Sequence, residues 1–170
     1  MKRQIPIHTH YANGKPTHWP EKIISSLYQL GVIDSWTYLI DICREVDFID
    51  GFIVGHVMGK GKDHHIVPPN LECNPGDDLE FVAVNRKGEK FPFGPLVKCM
   101  GVQRISIIPF EKMGLTIIDR GDIIPVVTEV EVAKNEGFDS VEHWYSNVPF
   151  ENDWKIWKGG IIHWTDKQYK

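Results

Sequence analysis

Four side chains of this sequence combine reactive chemistry with neighbours able to hold them: Lys62, His64, His65 and Glu136. A lysine ammonium neutralises a phosphate or polarises a carbonyl, an imidazole shuttles a proton near neutral pH, and a carboxylate orients an amine or a water. Lys62 lies in Gly59-Lys60-Gly61-Lys62-Asp63-His64-His65, whose glycines predict an exposed, bending loop with order resuming near Ile66. Beside a carboxylate and out of water, Lys62 can serve as base, proton relay or phosphate clamp; taken as one loop lysine among many, it is simply solvated. Glu136 is the acid set beside a forced turn.

The elements that position it are written locally. Thr128 can cap a helix, with Glu131 three residues on completing a capping box. Gly137 supplies the left-handed residue that ends this helix, and Asp139 or Ser140 caps a second one carrying Val141 and Trp144. An apolar strand, Ile161-Ile162-His163-Trp164, follows. Upstream, residues 5–19 contain an Asn13-Gly14 turn signal and predict a short hairpin or loop. Pro20 suits a first helical turn, and Ile23, Ile24, Leu27 and Leu30 recur at helical spacing until Gly31. A further helix is expected from Ser35 to about Val46. Strands are expected at Phe52–Val54, Leu79–Val84 after a Pro75-Gly76-Asp77 turn, Val97–Ile108 and Leu115–Ile118. A bulge is expected near Gln103-Arg104, because Val102, Ile105 and Ile107 break strict alternation. Pro125 keeps Ile123–Val127 extended. Strands with turns between them and helices grouped near the ends predict an α+β domain on a small barrel or curved sheet.

At 170 residues and 42% apolar content the chain fits one domain, residues 1–170. A net charge of −4 supplies no global field for nucleic acid, so any such partner must be held by a local patch. Cys43, Cys73 and Cys99 form no CxxC pair, which argues against a disulfide framework or zinc knuckle and for a reducing cytosol. The basic start, Met1 to Pro6, has no apolar run behind it, so a cytoplasmic protein without a membrane partner is expected. His8, His10, His18, His64 and His65 raise the question of a metal. No HExxH pair accompanies them, and they are read as surface or hydrogen-bonded histidines with no metal and no cofactor. Nucleophile-elbow, Walker and dinucleotide motifs are absent from the sequence. Tyr11, Trp19, Trp144, Tyr145, Trp154, Trp157 and Trp164, near Lys15, Lys60, Lys62, Lys155 and Lys158, can stack bases if exposed; as bulky rings they are read first as packing.

Taken in order, several segments resemble the ASCH domain family of the PUA-like group of small β-barrels. They are Lys62-Asp63-His64-His65-Ile66, Pro75 to Phe81, Val97 to Ile107, Thr128 to Glu142 with Glu136, Gly137, Phe138, Asp139 and Ser140, and Ile161-Ile162-His163. The resemblance covers about residues 50–164, preceded by an N-terminal helical extension. It implies a small PUA-like β-barrel with helices packed at its ends, and RNA or a nucleotide-derived molecule bound in a cleft. In members that hydrolyse acetylated cytidine, a loop lysine, a threonine and a helix-corner glutamate act together. Lys62 and Glu136 match the first and last, while His65 stands at the threonine position and Val67 at that of a following arginine. Thr17 is a spatial substitute for the hydroxyl. The resemblance therefore implies a binding cleft with Lys15, Thr17, His18, Lys60, Lys62, His64 and His65, and, if the chain is an enzyme, Lys62, His65 and Glu136 as catalytic groups. The alternatives are a small amidohydrolase or ribonuclease using the same cleft, and an interaction module using the C-terminal aromatics.

Overall fold

Ile5 and Ile7 are fully buried along Lys2–His8 (β1) while Lys2, Gln4 and His8 face outward, the period-two pattern of a half-buried strand. In this computed structural model, residues 1–11, 13–33, 61–110, 113–118, 126–147, 156–166 and 168–169 are described. They belong to two units, Met1–Lys62 with Asp77–Lys98 and Asp63–Gly76 with Cys99–Lys170. The helix expected at Ser35–Val46, the strand at Phe52–Val54, residues 123–125 and Lys60 lie outside the described residues.

In the first unit β1 pairs in parallel with Asp78–Val84 (here β3), which pairs antiparallel with Lys90–Lys98 (β4). The middle strand carries consecutive buried residues, Phe81, Val82 and Ala83, because both of its edges and both of its faces are covered. Residues 5–8 are thus strand rather than loop. The expected hairpin is confined to the Asn13-Gly14 turn, where Tyr11 N donates to Lys15 O at 2.9 Å and His10 bridges Pro16. Helix α1, Trp19–Gln29, has Pro20 in its first turn and buries Ile23, Ile24 and Leu27, as the spacing predicts.

The second unit holds a four-stranded antiparallel sheet in the order β2, β7, β5, β6: His64–Val67, Trp157–His163, Gly101–Phe110 and Met113–Ile118. Two helices follow β6, α2 at Val126–Asn135 and α3 at Val141–Tyr145. Val132, Ala133, Phe138 and Trp144 join Ile105, Ile107, Ile161 and Ile162 among the buried residues.

The architecture is α+β, and the described strands form two open sheets. Several local expectations are corrected. The run Val97–Ile108 is two strands, interrupted at Cys99 and Met100, where Met100 N turns to donate to His163 O at 2.8 Å. No bulge occurs at Gln103-Arg104: the β5–β7 register runs unbroken from Gly101↔His163 to Ile107↔Trp157. Val102 breaks the alternation because it sits on the sheet face opposite Ile105 and Ile107, not because the strand kinks. The irregularity is instead between Leu79 and Phe81, where β4 contains Gly94 and Pro95, the latter unable to donate a ladder hydrogen bond. Helix α2 begins at Val126, so Thr128 lies inside it and does not cap it. Proline restricts the residue before it, and Pro125 left Val126 and Val127 free to be helical. Lys62, His64 and His65 are buried, not displayed on a solvated loop, and β2 starts at His64 rather than Ile66.

Ion pairs lace the first sheet. Lys98 Nζ lies 2.6 Å from Asp78 Oδ1 and Lys2 Nζ 2.7 Å from Glu80 Oε1. The Lys98 contact holds the Asp78 carboxyl below its ordinary value, and Lys2 with Gln4 does the same for Glu80. A carboxyl depressed in the folded state is protonated more readily in the unfolded chain, so its contribution is present above the ordinary carboxylate range and is lost as pH falls through it. Urea midpoints are expected to drop between about pH 5 and pH 3, and to drop less steeply in a Lys2→Ala/Lys98→Ala variant. Identical slopes for the two chains would mean that these exposed pairs contribute nothing.

Candidate functional site

Glu136 occupies the corner that its local sequence encodes. Gly137 has φ +92°, its N–H donates to Lys134 O at 3.0 Å, and Phe138 N donates to Ala133 O at 2.9 Å. These two bonds form a Schellman motif, with Glu136 as the last half-helical residue and Phe138 buried behind it. Ser140 then starts α3, its hydroxyl accepting from His143 N at 3.1 Å. Of the two capping candidates it is Ser140 that acts.

The corner delivers the carboxylate to the edge of β2 that pairs with no other described strand. Glu136 Oε2 accepts from the Ile66 backbone N–H at 3.1 Å, and Oε1 lies 2.9 Å from His65 Nδ1. His64 Nε2 approaches Oε2 at 3.4 Å. Glu136 is only 2% exposed. A buried carboxylate needs such donors, and an edge strand needs its outward N–H covered; each satisfies the other here.

A second layer fixes the two imidazoles differently. Asn135 Nδ2 donates to the Tyr169 hydroxyl at 2.7 Å, and that hydroxyl lies 3.1 Å from His64 Nδ1. Burial pushes the Tyr169 phenol well above its usual range, against the bond from Asn135, with the Glu136 charge adding to the rise. The phenol that accepts from Asn135 thus lies against His64 Nδ1, while His64 Nε2 stands 3.4 Å from Glu136 without a hydrogen bond to it. His65 is the reverse. Its Nδ1 carries the hydrogen toward Glu136, so in the neutral ring the lone pair sits on Nε2. Tyr169 is itself clamped by Gln103, whose amide donates to Tyr169 O at 2.6 Å and accepts from Tyr169 N at 2.9 Å.

Thus the second unit brings His64, His65 and Glu136 together, and adds Asn135, Tyr169 and Gln103, which no local pattern announces. Lys62 belongs to the first unit. It is fully buried, its backbone N–H donates to Lys22 O at 3.1 Å, and its ammonium lies 4.7 Å from the Trp19 ring centroid, a cation–π distance. In the same unit the Thr17 hydroxyl donates to His8 O at 2.7 Å and accepts from Trp19 N at 3.2 Å, which commits it to the turn before α1. His18 adopts a left-handed conformation with Nδ1 3.6 Å from Glu21 Oε1, and Lys15 is exposed. Trp144, Tyr145 and Trp164 are buried, the first two stacked with centroids 4.8 Å apart, so these C-terminal aromatics are packing rather than a display surface. Among the described residues no group of His, Cys, Asp or Glu is arranged to hold a metal ion, and no helix is long and apolar enough to cross a membrane. No protein-family model, curated protein or solved structure matches the chain.

Two substitutions separate the corner from the carboxylate. Gly137→Ala forces a Cβ onto a left-handed residue and is expected to lower stability by about 1–2 kcal/mol. Glu136→Gln sets an amide N–H₂ against donors and is expected to lower it by about 2–4 kcal/mol. Chemical denaturation measures both, and a Glu136→Gln chain as stable as the parent would show that the three contacts are not stabilising.

Proposed function

We propose that the chain is an ASCH-type, PUA-like domain that binds RNA or a nucleotide-derived ligand, and that His65 in its second unit is a recognising group. The observation that carries this reading is the 2.9 Å contact between His65 Nδ1 and the buried Glu136 carboxylate. Both carboxylate oxygens are occupied by β2, so Glu136 acts through His65 as a positioning residue. The imidazole, 6% exposed and with its Nδ1 hydrogen on Glu136, turns an accepting Nε2 to an N–H of a base edge. In its own unit, the Lys62 ammonium supplies a desolvated positive charge beside an aromatic ring. The ordered motifs of the sequence support the family and its barrel, and the acidic net charge favours recognition by a few placed groups over general attraction to a polyanion.

The same contact favours one second reading, a small amidohydrolase or ribonuclease. A His–carboxylate pair with a lone pair on the distal nitrogen is the arrangement of a general base, and it supplies proton transfer where the family's threonine is replaced by His65.

Fluorescence anisotropy with short single-stranded RNA tests binding. His65→Ala is expected to weaken affinity about tenfold, the loss of one good polar contact, and to lower stability by uncovering Glu136, so affinity is read where denaturation shows the variant folded. Unchanged affinity in His65→Ala would overturn the binding reading. Acetate release from N4-acetylcytidine, or RNA cleavage, that disappears in His65→Ala would establish the catalytic one.

A further inference from the structure

A cavity of about 670 Å³ opens on one face of the second unit's sheet, and neither His65 nor Glu136 is among its walls. Its floor follows strand alternation. Val102, Arg104 and Ser106 project from one face of β5, and their cross-strand partners on β7 include Gly160, opposite Arg104, and Lys158, opposite Ser106. The segment from Pro68 to Asn74 forms the opposite wall, turned back by Leu71 N donating to Pro68 O at 3.1 Å.

Two adjacent glycines in the floor have different causes. A Cβ at Gly159 would stand 2.1 Å from the Trp157 ring and 2.6 Å from Val67 O, so packing excludes any side chain there. A Cβ at Gly160 would meet only ordinary contacts, the nearest Val67 Cγ2 at 3.7 Å. No neighbour requires a glycine at 160. Its missing side chain leaves a buried stretch of floor without a side chain between Val67 and Val102, and a glycine inside a strand is one of the marks of close approach by a ligand or another backbone. Arg104 and Lys158, both exposed, bring two positive charges to that patch against one acidic side chain in the wall, Glu72. The volume suits a ligand of mononucleotide size or smaller.

We propose that this cavity is a second ligand site, separate from the His65–Glu136 pair, and that it takes a flat ring bearing a phosphate or carboxylate. The ring lies on Gly160 between the valines and beneath the prolines, and the anionic group is held by Arg104 and Lys158, with the guanidinium offering a planar two-donor fork. The site does not depend on the RNA reading.

Calorimetric titration with two anions, cytidine 5′-monophosphate and 2-naphthoate, tests it against their uncharged counterparts, cytidine and 2-naphthylmethanol. At least one anion is expected to bind about tenfold or more tightly than its counterpart, and to slow iodoacetamide alkylation of Cys73, a half-exposed thiol in the wall. The first anion alone identifies a phosphate source, the second alone a carboxylate source. An Arg104→Gln/Lys158→Gln variant, altered only at exposed positions, is expected to lose the preference for charge, and Gly160→Leu to lose both ligands by filling the floor. Should Gly160→Leu fail to fold, the charge variant still decides. No binding by either anion, equal binding of anion and counterpart, or full binding by the charge variant overturns the proposal.

Discussion

The second unit is organised by one buried carboxylate. Glu136 removes an acid from water and lays it along the edge of β2, where a backbone N–H and two imidazoles meet it. That placement is tolerable because the Ile66 N–H and His65 Nδ1 reach the two oxygens together, since a buried acid with partners missing is strongly unfavourable. The requirement then spreads outward. The Tyr169 hydroxyl meets His64 Nδ1, Asn135 donates to that hydroxyl, and Gln103 holds the Tyr169 backbone on β5. Helix corner, edge strand and C-terminal segment are thereby joined in one polar network.

The network gives two neighbouring histidines different characters. His64 is fully buried with the Tyr169 hydroxyl at one nitrogen and the carboxylate near the other, the situation of a structural group. His65 has only Nδ1 turned to the carboxylate and retains some exposure. Sequence adjacency therefore says little about shared role, because successive residues of a strand point to opposite faces. The same alternation on β5 separates Ile105 and Ile107 from Val102, Arg104 and Ser106, and so divides the sheet into an apolar face and a face bearing the charged cavity.

Where local chemistry dominates, the sequence was legible. Gly137 as the left-handed stop, Ser140 as a cap and Pro20 in the first turn of α1 each depend on a few contiguous residues, and each stands where expected. Burial of Trp144, Tyr145 and Trp164 followed from ring size, whereas Tyr11, Trp19 and Trp157 are half-buried. Reading failed where two causes yield the same pattern. Glycines flanking Lys62 suggested a solvated loop, but flexibility of the backbone does not determine what packs against it. Apolar residues on both faces of β5 imitated a bulge, and a proline that constrains its predecessor was taken to constrain its successors. The parallel pairing of β1 with β3 joins residues more than seventy positions apart and leaves no short-range trace.

By itself, the sequence determined an α+β chain, the helix corner that carries Glu136, and reactive residue types at 62, 64, 65 and 136, because caps, turns and periodicity act over a few residues. Only the tertiary structure decided what Glu136 touches, that His65 turns Nδ1 to it, that Tyr169 completes the network, and that Arg104, Lys158 and Gly160 share a cavity. Those facts depend on hydrogen bonds and strand register between distant segments, and distance along the chain carries no information about distance in space once the apolar residues have chosen which surfaces to bury.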